Sequence, residues 1–432
     1  MKRMSPQEAR NYQRTAEEVS PELQQKVEAI LKDVAQRGDT AVIEYTRLFD
    51  GVENPDFSLV ATEEEYKRSR KEVEEKLSTL LEYFLEAARR IRLYHEKQRE
   101  KSWFYEEDGA FMGQLITPLE RVGVYVPGGR AFYPSSVLMN VIPATIAGVK
   151  EIYLVTPPDK KGSVHPLLLT LAENLGVKTV FKAGGAQAIG ALAYGTETIP
   201  AVHKITGPGN AYVAMAKRLV QGKVGIDSIA GPSEVAIFAD ESAPAEWIAM
   251  DLCAQAEHSP DSVVFFLSTS SQLIEKVENI LPEVIVSLPR REIIEKSLSL
   301  SFSILVDSYE EGFDLLNRIA PEHTEIMLQL DSSEILSSIQ HMGALFLGPW
   351  TPVAMGDYFS GPNHVIPTYG TAVYASPLGV YDFVKRTSVM RLSPKYMQKH
   401  AKKVKAMADL EGLQAHGLSA FLRTKPPEEK LP

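Results

Sequence analysis

The sequence predicts an α/β protein built on parallel sheets, and three observations predict it. Short apolar runs rich in Val, Ile and Phe alternate with segments of helical period, the joints between them are brief glycine or proline turns, and the alternation occurs in two separate sets. Strands separated by helices pair in parallel, with the helices lying on the faces of the sheet. The chain has 432 residues, 44% hydrophobic and 24% charged, which is too long for one ordinary core. Two α/β units, in tandem or interleaved, are expected.

From about residue 21 to 100 the sequence is charged and helix-periodic. ELQQKVEAILKDVAQRG and VEEKLSTLLEYFLEAARRIRLYHEKQ place apolar residues three and four apart. The character changes at Arg121, where VGVYVPGG predicts a strand ending in a glycine turn and Pro134-Ser135-Ser136 opens an apolar helix running to Ala147. Strand EIYLVTPP, helix HPLLLTLAENLG, strand KTVFKAGG, helix AQAIGALAYG, strand HKITGPG and helix NAYVAMAKRLVQG complete the first set. The second opens with strand SEVAIFAD, continues through helix APAEWIAMDLCAQAEH and strand SVVFFL, and later holds LSFSILV, a helix near EEGFDLLNRIA and strand GALFLG. After Ser376 the pattern fades into a polar, partly helical tail with no sheet of its own. A tail of this kind cannot bury a core alone, so it is expected to pack on another surface, a second subunit among the candidates.

Charge and cysteine content narrow the function classes. With 46 basic and 56 acidic residues the net charge is -10, which argues against a general nucleic-acid binder and points to small-molecule partners. The single cysteine, Cys253, permits no intrachain disulfide and leaves any metal to nitrogen and oxygen ligands. MKRMSPQEARNYQR lacks the apolar core of a secretory signal, and no apolar run is long enough to span a bilayer, so a cytoplasmic location is expected.

Four segments can carry chemistry. In DLCAQAEHSPDS, Gln255 and His258 share one face near a helix end, an amide and an imidazole suited to a borderline metal such as zinc. The competing structural role is a histidine capping the helix C-terminus. In GDYFSGPNHVIPTYG, Asp357 and His364 lie in a loop of small residues and prolines, where Asp357 offers a hard oxygen ligand or an Asx turn. In IAPEHTEIML, Glu322 and His323 are adjacent; in a loop they can flank one bound carbon and divide general-base work, whereas at a helix N-terminus Glu322 would merely answer the dipole. In the tail, LEGLQAHG holds Glu411 and His416, and a lone polar histidine there is ordinarily a surface residue.

A dinucleotide is expected at a glycine-rich turn between strand and helix. GxGxxG is absent. Three shorter turns follow predicted strands instead: VPGG, AGGAQ and TGPGN, the last placing Asn210 as a helix N-cap. They allow a nucleotide without requiring one.

Taken together, RVGVYVPGGRAFYPSSVLM, KAGGAQAIGALAYGT, ITGPGNAYVAMAK, DSIAGPSEV, DLCAQAEHSPDS, APEHTEIM, GDYFSGPNHVIPTYGTA, SPLGVYDFVKRTSV and EGLQAHG resemble the histidinol dehydrogenase family, in order, from about residue 10 to 420. The resemblance implies two incomplete Rossmann-like domains, one inserted in the other. The first would span 25–120 and 234–377 with the metal and catalytic residues, and the inserted nucleotide domain 121–233. A helical N-terminal segment would cover 1–24 and a dimerisation tail 378–432. It implies one zinc per subunit on Gln255, His258, Asp357 and His416, and NAD held by Tyr125, Gln187 and Asn210. Ser135, Ser233, His364 and Glu411 would line the substrate pocket together with the metal ligands, Glu322 and His323. His323 would accept the hydroxyl proton and Glu322 activate water, in two successive oxidations of histidinol. It further implies a homodimer in which the tail, with Glu411 and His416, completes the partner's site.

Other readings compete. A related zinc- and NAD-dependent dehydrogenase of another small polar alcohol, such as a sulfonated diol, would share the ligand set. Arg130, Phe132 and Tyr133, in a variable part of the first glycine turn, bear on pocket shape. A non-catalytic nucleotide-binding scaffold would show erosion of the polar site, which is intact. Cys253 as a thiol nucleophile is opposed by its place in an apolar helix stripe, where it is expected to be an inert core residue.

Overall fold

The computed structural model describes residues 1–14, 20–128, 133–177, 179–229 and 231–425. Every strand expected from the apolar runs forms, because runs such as Glu234–Ala239 and Val263–Ser268 bury both faces and find parallel partners for their backbone groups.

Six strands make one all-parallel sheet in the order Lys2–Met4, Phe302–Leu305, Val263–Ser268, Glu234–Ala239, His323–Met327, Ala344–Leu347. Five make another, Thr179–Lys182, Glu151–Thr156, Arg121–Tyr125, Lys204–Thr206, Gly225–Ile226, also parallel throughout. Lys2–Met4 aside, each sheet starts at an inner strand, winds outward to one side, then resumes on the other. This is doubly wound topology, with a reversal beside the first strand.

The register places the chemistry. His323 pairs with Val235 on one side and Ala344 on the other, so Glu234 and His323 both open their strands at the same edge of the six-stranded sheet. In the five-stranded sheet Tyr125 and Thr206 close theirs.

Contacts divide the chain into two compact units, Met1–Gln98 with Leu119–Phe383, and Arg99–Pro118 with Val384–Pro432. Two expectations are corrected here. The expected tail does hold a strand: Val384–Leu392 pairs antiparallel with Ala110–Pro118, which pairs in turn with Trp103–Glu107. Residues 99–118 thus join the tail and not a Rossmann-like sheet. The strand escapes notice in the sequence because an antiparallel strand can leave much of itself in water, and VKRTSVMRL carries no apolar run. The hairpin turns at Asp108 and Gly109, with φ of 50° and 82°, as a tight Asp-Gly turn requires. The second correction is at the N-terminus: among the described residues of 1–24, Pro6–Arg10 and the start of Pro21–Arg37 are helical, but Lys2–Met4 is an edge strand against Phe302–Ile304, a pairing that three residues cannot announce locally.

Cys253 lies in helix Ala245–Ala256, fully buried, and burial with the nearby Glu257 carboxylate pushes its thiol up to about 11. A neutral, enclosed thiol is a poor nucleophile. The native protein should resist a thiol-alkylating reagent at pH 8 and take up one equivalent only when unfolded; rapid labelling of the native state would reinstate Cys253 as a reactive group.

Candidate active site

Glu322 is the last residue of the connection that follows Pro321 and His323 opens strand His323–Met327, so the expected loop holds for Glu322 alone and neither residue begins a helix. Helix Tyr309–Ile319 ends at Ala320 in the left-handed region, φ 47°, and Pro321 then delivers the chain to the sheet edge. Both side chains are buried, at 6% and 4% exposure. Glu322 Oε2 accepts a hydrogen bond from the Glu234 N–H at 2.9 Å and lies 3.6 Å from His323 Nδ1. Nδ1 also stands 3.2 Å from the Glu234 carbonyl oxygen, which fits an N–H there. Nε2 points the other way, 3.7 Å from Asp357 Oδ1, and is buried without a hydrogen-bond partner.

Burial raises Glu322 to about 7, with the His323 charge opposing. Burial works against the His323 imidazolium, but Glu322, Asp357 and the Glu234 carbonyl outweigh it and raise His323 to about 9. Near neutral pH His323 is therefore protonated and faces the ionised Asp357, while Glu322 is midway through its own titration.

Asp357 belongs to the short helix Val353–Tyr358, and not to the expected loop. Its carbonyl oxygen lies 3.0 Å from His364 Nδ1; an N–H donated there leaves His364 Nε2 with a free lone pair. Although burial resists it, His323, His364 and His258 together hold the Asp357 carboxyl below its ordinary value. His364 is lowered, burial outweighing Asp357. His258 follows helix Ala245–Ala256, its N–H on the Gln255 carbonyl at 3.2 Å. Its ring reaches solvent, yet the protein packed around it lowers its pKa by desolvation against the pull of Asp357. Gln255 is 2% exposed and its Nε2 has no partner.

Among the described residues no three His, Cys, Asp or Glu side chains are disposed to hold a metal by themselves. The donor chemistry nevertheless fits a borderline cation: one imidazole, one carboxylate kept ionised, and the carbonyl oxygen of a buried amide. Ser135 is buried in the first turn of helix Pro134–Ala147, and Ser233 is half-buried just ahead of Glu234. Glu411 and His416 lie in the other unit, both exposed, Glu411 ending helix Pro394–Leu410 and His416 within Gln414–Leu422.

The nucleotide candidates lie at the end of one strand of the five-stranded sheet and in the turns into helices that follow two others. Tyr125 OH accepts from the Gly185 N–H at 3.2 Å, and a Cβ on Gly185, whose φ is 60°, would meet Gln187 Oε1 at 2.7 Å. Gln187 is 1% exposed and neither of its amide atoms has a partner. Buried amides are ordinarily paired, so this one leaves a donor and an acceptor open, and the residues fit a dinucleotide. Asn210 is exposed and caps helix Ala211–Val220, accepting from Tyr212 and Val213 at 3.1 Å. Gly129, Arg130 and Phe132 lie outside the described residues.

A family profile for histidinol dehydrogenase matches residues 12–424. The chain belongs to the histidinol dehydrogenase family. A histidinol dehydrogenase from Bacillus subtilis is 47% identical over 427 residues, 98% of this chain and 99% of that one. Another from Aquifex aeolicus is 47% identical over 93% of this chain and 92% of its own. The crystal structure of histidinol dehydrogenase from Elizabethkingia anophelis superposes with a TM-score of 0.91 at 35% identity, covering 98% of both chains.

In this histidinol dehydrogenase family member, sequence reasoning missed the groups that hold Glu322 and His323. Glu234 braces both through its backbone, and its own carboxylate, 2% exposed, is clasped by Arg14 at 2.5 and 2.8 Å. Arg14 also donates to the Ile319 carbonyl at 2.5 Å, closing the helix that leads into Glu322. Glu325, 1% exposed two residues after His323, accepts from the Val353 N–H at 2.7 Å and so anchors the helix carrying Asp357. Burial and the neighbouring Asp251 raise Glu325 well above the ordinary carboxylate range. A buried acid inside an apolar strand, as in HTEIM, is the one signal the sequence offered. Removing Arg14 leaves the Glu234 carboxylate buried and unpaired, so Arg14→Ala should cost about 3–5 kcal/mol of stability in denaturant titration. A loss under 1 kcal/mol would mean that the clasp is dispensable.

Proposed function

We propose that this chain oxidises L-histidinol to L-histidine through L-histidinal, using two NAD. The observation that carries this is the buried Glu322–His323 pair with Asp357 beside it, in a chain whose full-length relatives are named histidinol dehydrogenases. The sulfonated-diol reading gains nothing from these relatives.

Zinc on Gln255, His258, Asp357 and His416 of the partner subunit would fix the substrate's amine and imidazole and, by taking up the Asp357 charge, ease the release of the proton from His323. NAD at Tyr125, Gln187 and Asn210 would accept a hydride in each oxidation. His323 takes the hydroxyl proton through Nε2, the nitrogen left partnerless, while Nδ1–H on the Glu234 carbonyl fixes the ring. Glu322, already held by one oxygen on the Glu234 N–H, draws a proton from water that adds to the aldehyde. Once its first proton has passed to solvent, His323 takes a second as the hydrated aldehyde is oxidised. Ser135, Ser233 and His364 line the pocket, joined by Glu411 of the partner subunit. This arrangement makes a homodimer the active form, with one zinc per subunit. No helix among the described residues is long and apolar enough to cross a membrane, and the enzyme is assigned to the cytoplasm as part of this proposal.

Chelation should abolish turnover and added zinc restore it, and each histidinol consumed should yield two NADH. One NADH would mean that the reaction stops at the aldehyde, and full turnover of metal-free protein would remove the metal from the scheme. Glu322→Gln should slow aldehyde oxidation by roughly a hundredfold or more while alcohol oxidation falls far less. Because Glu322 titrates near 7, its base form is lost as pH falls through that value, so aldehyde oxidation should decline on the acid side with an apparent pKa of about 7. A profile flat from pH 6 to 8 would exclude Glu322 as the base.

A further inference from the structure

Asp50 is placed where local physics would not put a carboxylate. It is the last residue of helix Asp39–Asp50, before Gly51 in the left-handed region at φ 68°, and a negative charge at a helix C-terminus opposes the macrodipole. Its Oδ2 is buried and has no hydrogen-bond partner. Burial alone pushes the group up to about 6, so near pH 8 the protein carries a desolvated, unpaired anion. Such violations of local preference mark sites kept for function.

The surroundings say what the carboxylate faces. A Cβ built on Gly184 would stand 3.2 Å from Asp50 Oδ1 and 2.7 Å from Pro157. Asp50 therefore sits at the exits of Glu151–Thr156 and Thr179–Lys182, the second and third strands of the doubly wound sheet, beside the turn where Gln187 keeps both amide atoms unpaired. An ionised carboxylate only accepts, and it repels phosphate, so the ligand part it meets must bring donors and no charge. In a dinucleotide the ribose diol presents two adjacent hydroxyls matching two carboxylate oxygens, and in doubly wound folds an acidic side chain near the second strand meets the adenosine ribose.

We infer that Asp50 accepts hydrogen bonds from the 2′ and 3′ hydroxyls of the adenosine ribose and thereby selects NAD against NADP. The inference rests on the nucleotide reading of Tyr125, Gln187 and Asn210. Calorimetric titration of the full-length zinc-loaded enzyme with NAD, ADP-ribose and NADP tests it without turnover. Asp50→Asn should weaken NAD and ADP-ribose by roughly tenfold to a hundredfold and leave NADP unchanged or tighter. In the absence of nucleotide the same variant should melt higher at pH 8, since it removes a buried charge. Equal weakening of NAD and NADP, or a lower melting temperature, would make Asp50 a structural residue and overturn the inference. Unchanged NAD binding in Asp50→Asn, alongside weakened binding in Gln187→Ala, would overturn it while sparing the nucleotide site; unchanged binding in both would remove the site itself.

Discussion

The site depends on one constraint, the meeting of a buried carboxylate and a buried imidazole at the opening of a central parallel strand. Glu322 and His323 are charged or chargeable groups in a place where either alone would be expelled or neutralised. Each is tolerated because the other stands 3.6 Å away and because the Glu234 backbone offers a donor to one and an acceptor to the other. The Glu234 carboxylate then needs its own partner, and Arg14 supplies it. Chemistry at the sheet edge is in this way tied to the N-terminal segment.

The two sheets share a winding pattern but present opposite edges. Tyr125, Thr206 and the turn after Lys182 stand at the closing ends of their strands, where doubly wound folds hold nucleotides at the reversal of strand order. Glu234 and His323 stand at the opening ends of theirs. In the six-stranded sheet the corresponding closing-end position after Glu234–Ala239 is filled by Asp240, whose carboxylate is consumed by Ser242, Tyr309 and the Gln329 N–H. A saturated carboxylate has nothing left to offer a ligand there, and the buried carboxylate–imidazole pair of that sheet lies at its other edge.

The secondary structure is legible where burial on both faces writes an apolar run, which is why most of the parallel strands could be read in order; His323–Met327 is buried as deeply, but HTEIM opens on three polar residues and shows no such run. It was illegible where pairing alone makes a strand. Lys2–Met4 and Val384–Leu392 have no apolar run because one is a three-residue edge and the other is largely solvated. The Asp-Gly pair at 108 and 109 is a fair hairpin signal, lying between the helix-periodic region and Arg121 in a stretch where no element was expected.

The sequence by itself determined the family, through ordered motifs spanning the chain, and with it the residue types available for proton transfer, metal ligation and nucleotide contact. Only the tertiary structure decided which of those groups are buried, which lack partners, and which lean on one another. His323 beside Asp357, Gln187 with an unsatisfied amide, and Asp50 at the wrong end of its helix are facts of strand register and packing between segments tens to hundreds of residues apart. Identity and spacing are local properties of a chain, whereas desolvation and hydrogen-bond pairing depend on what the fold brings alongside.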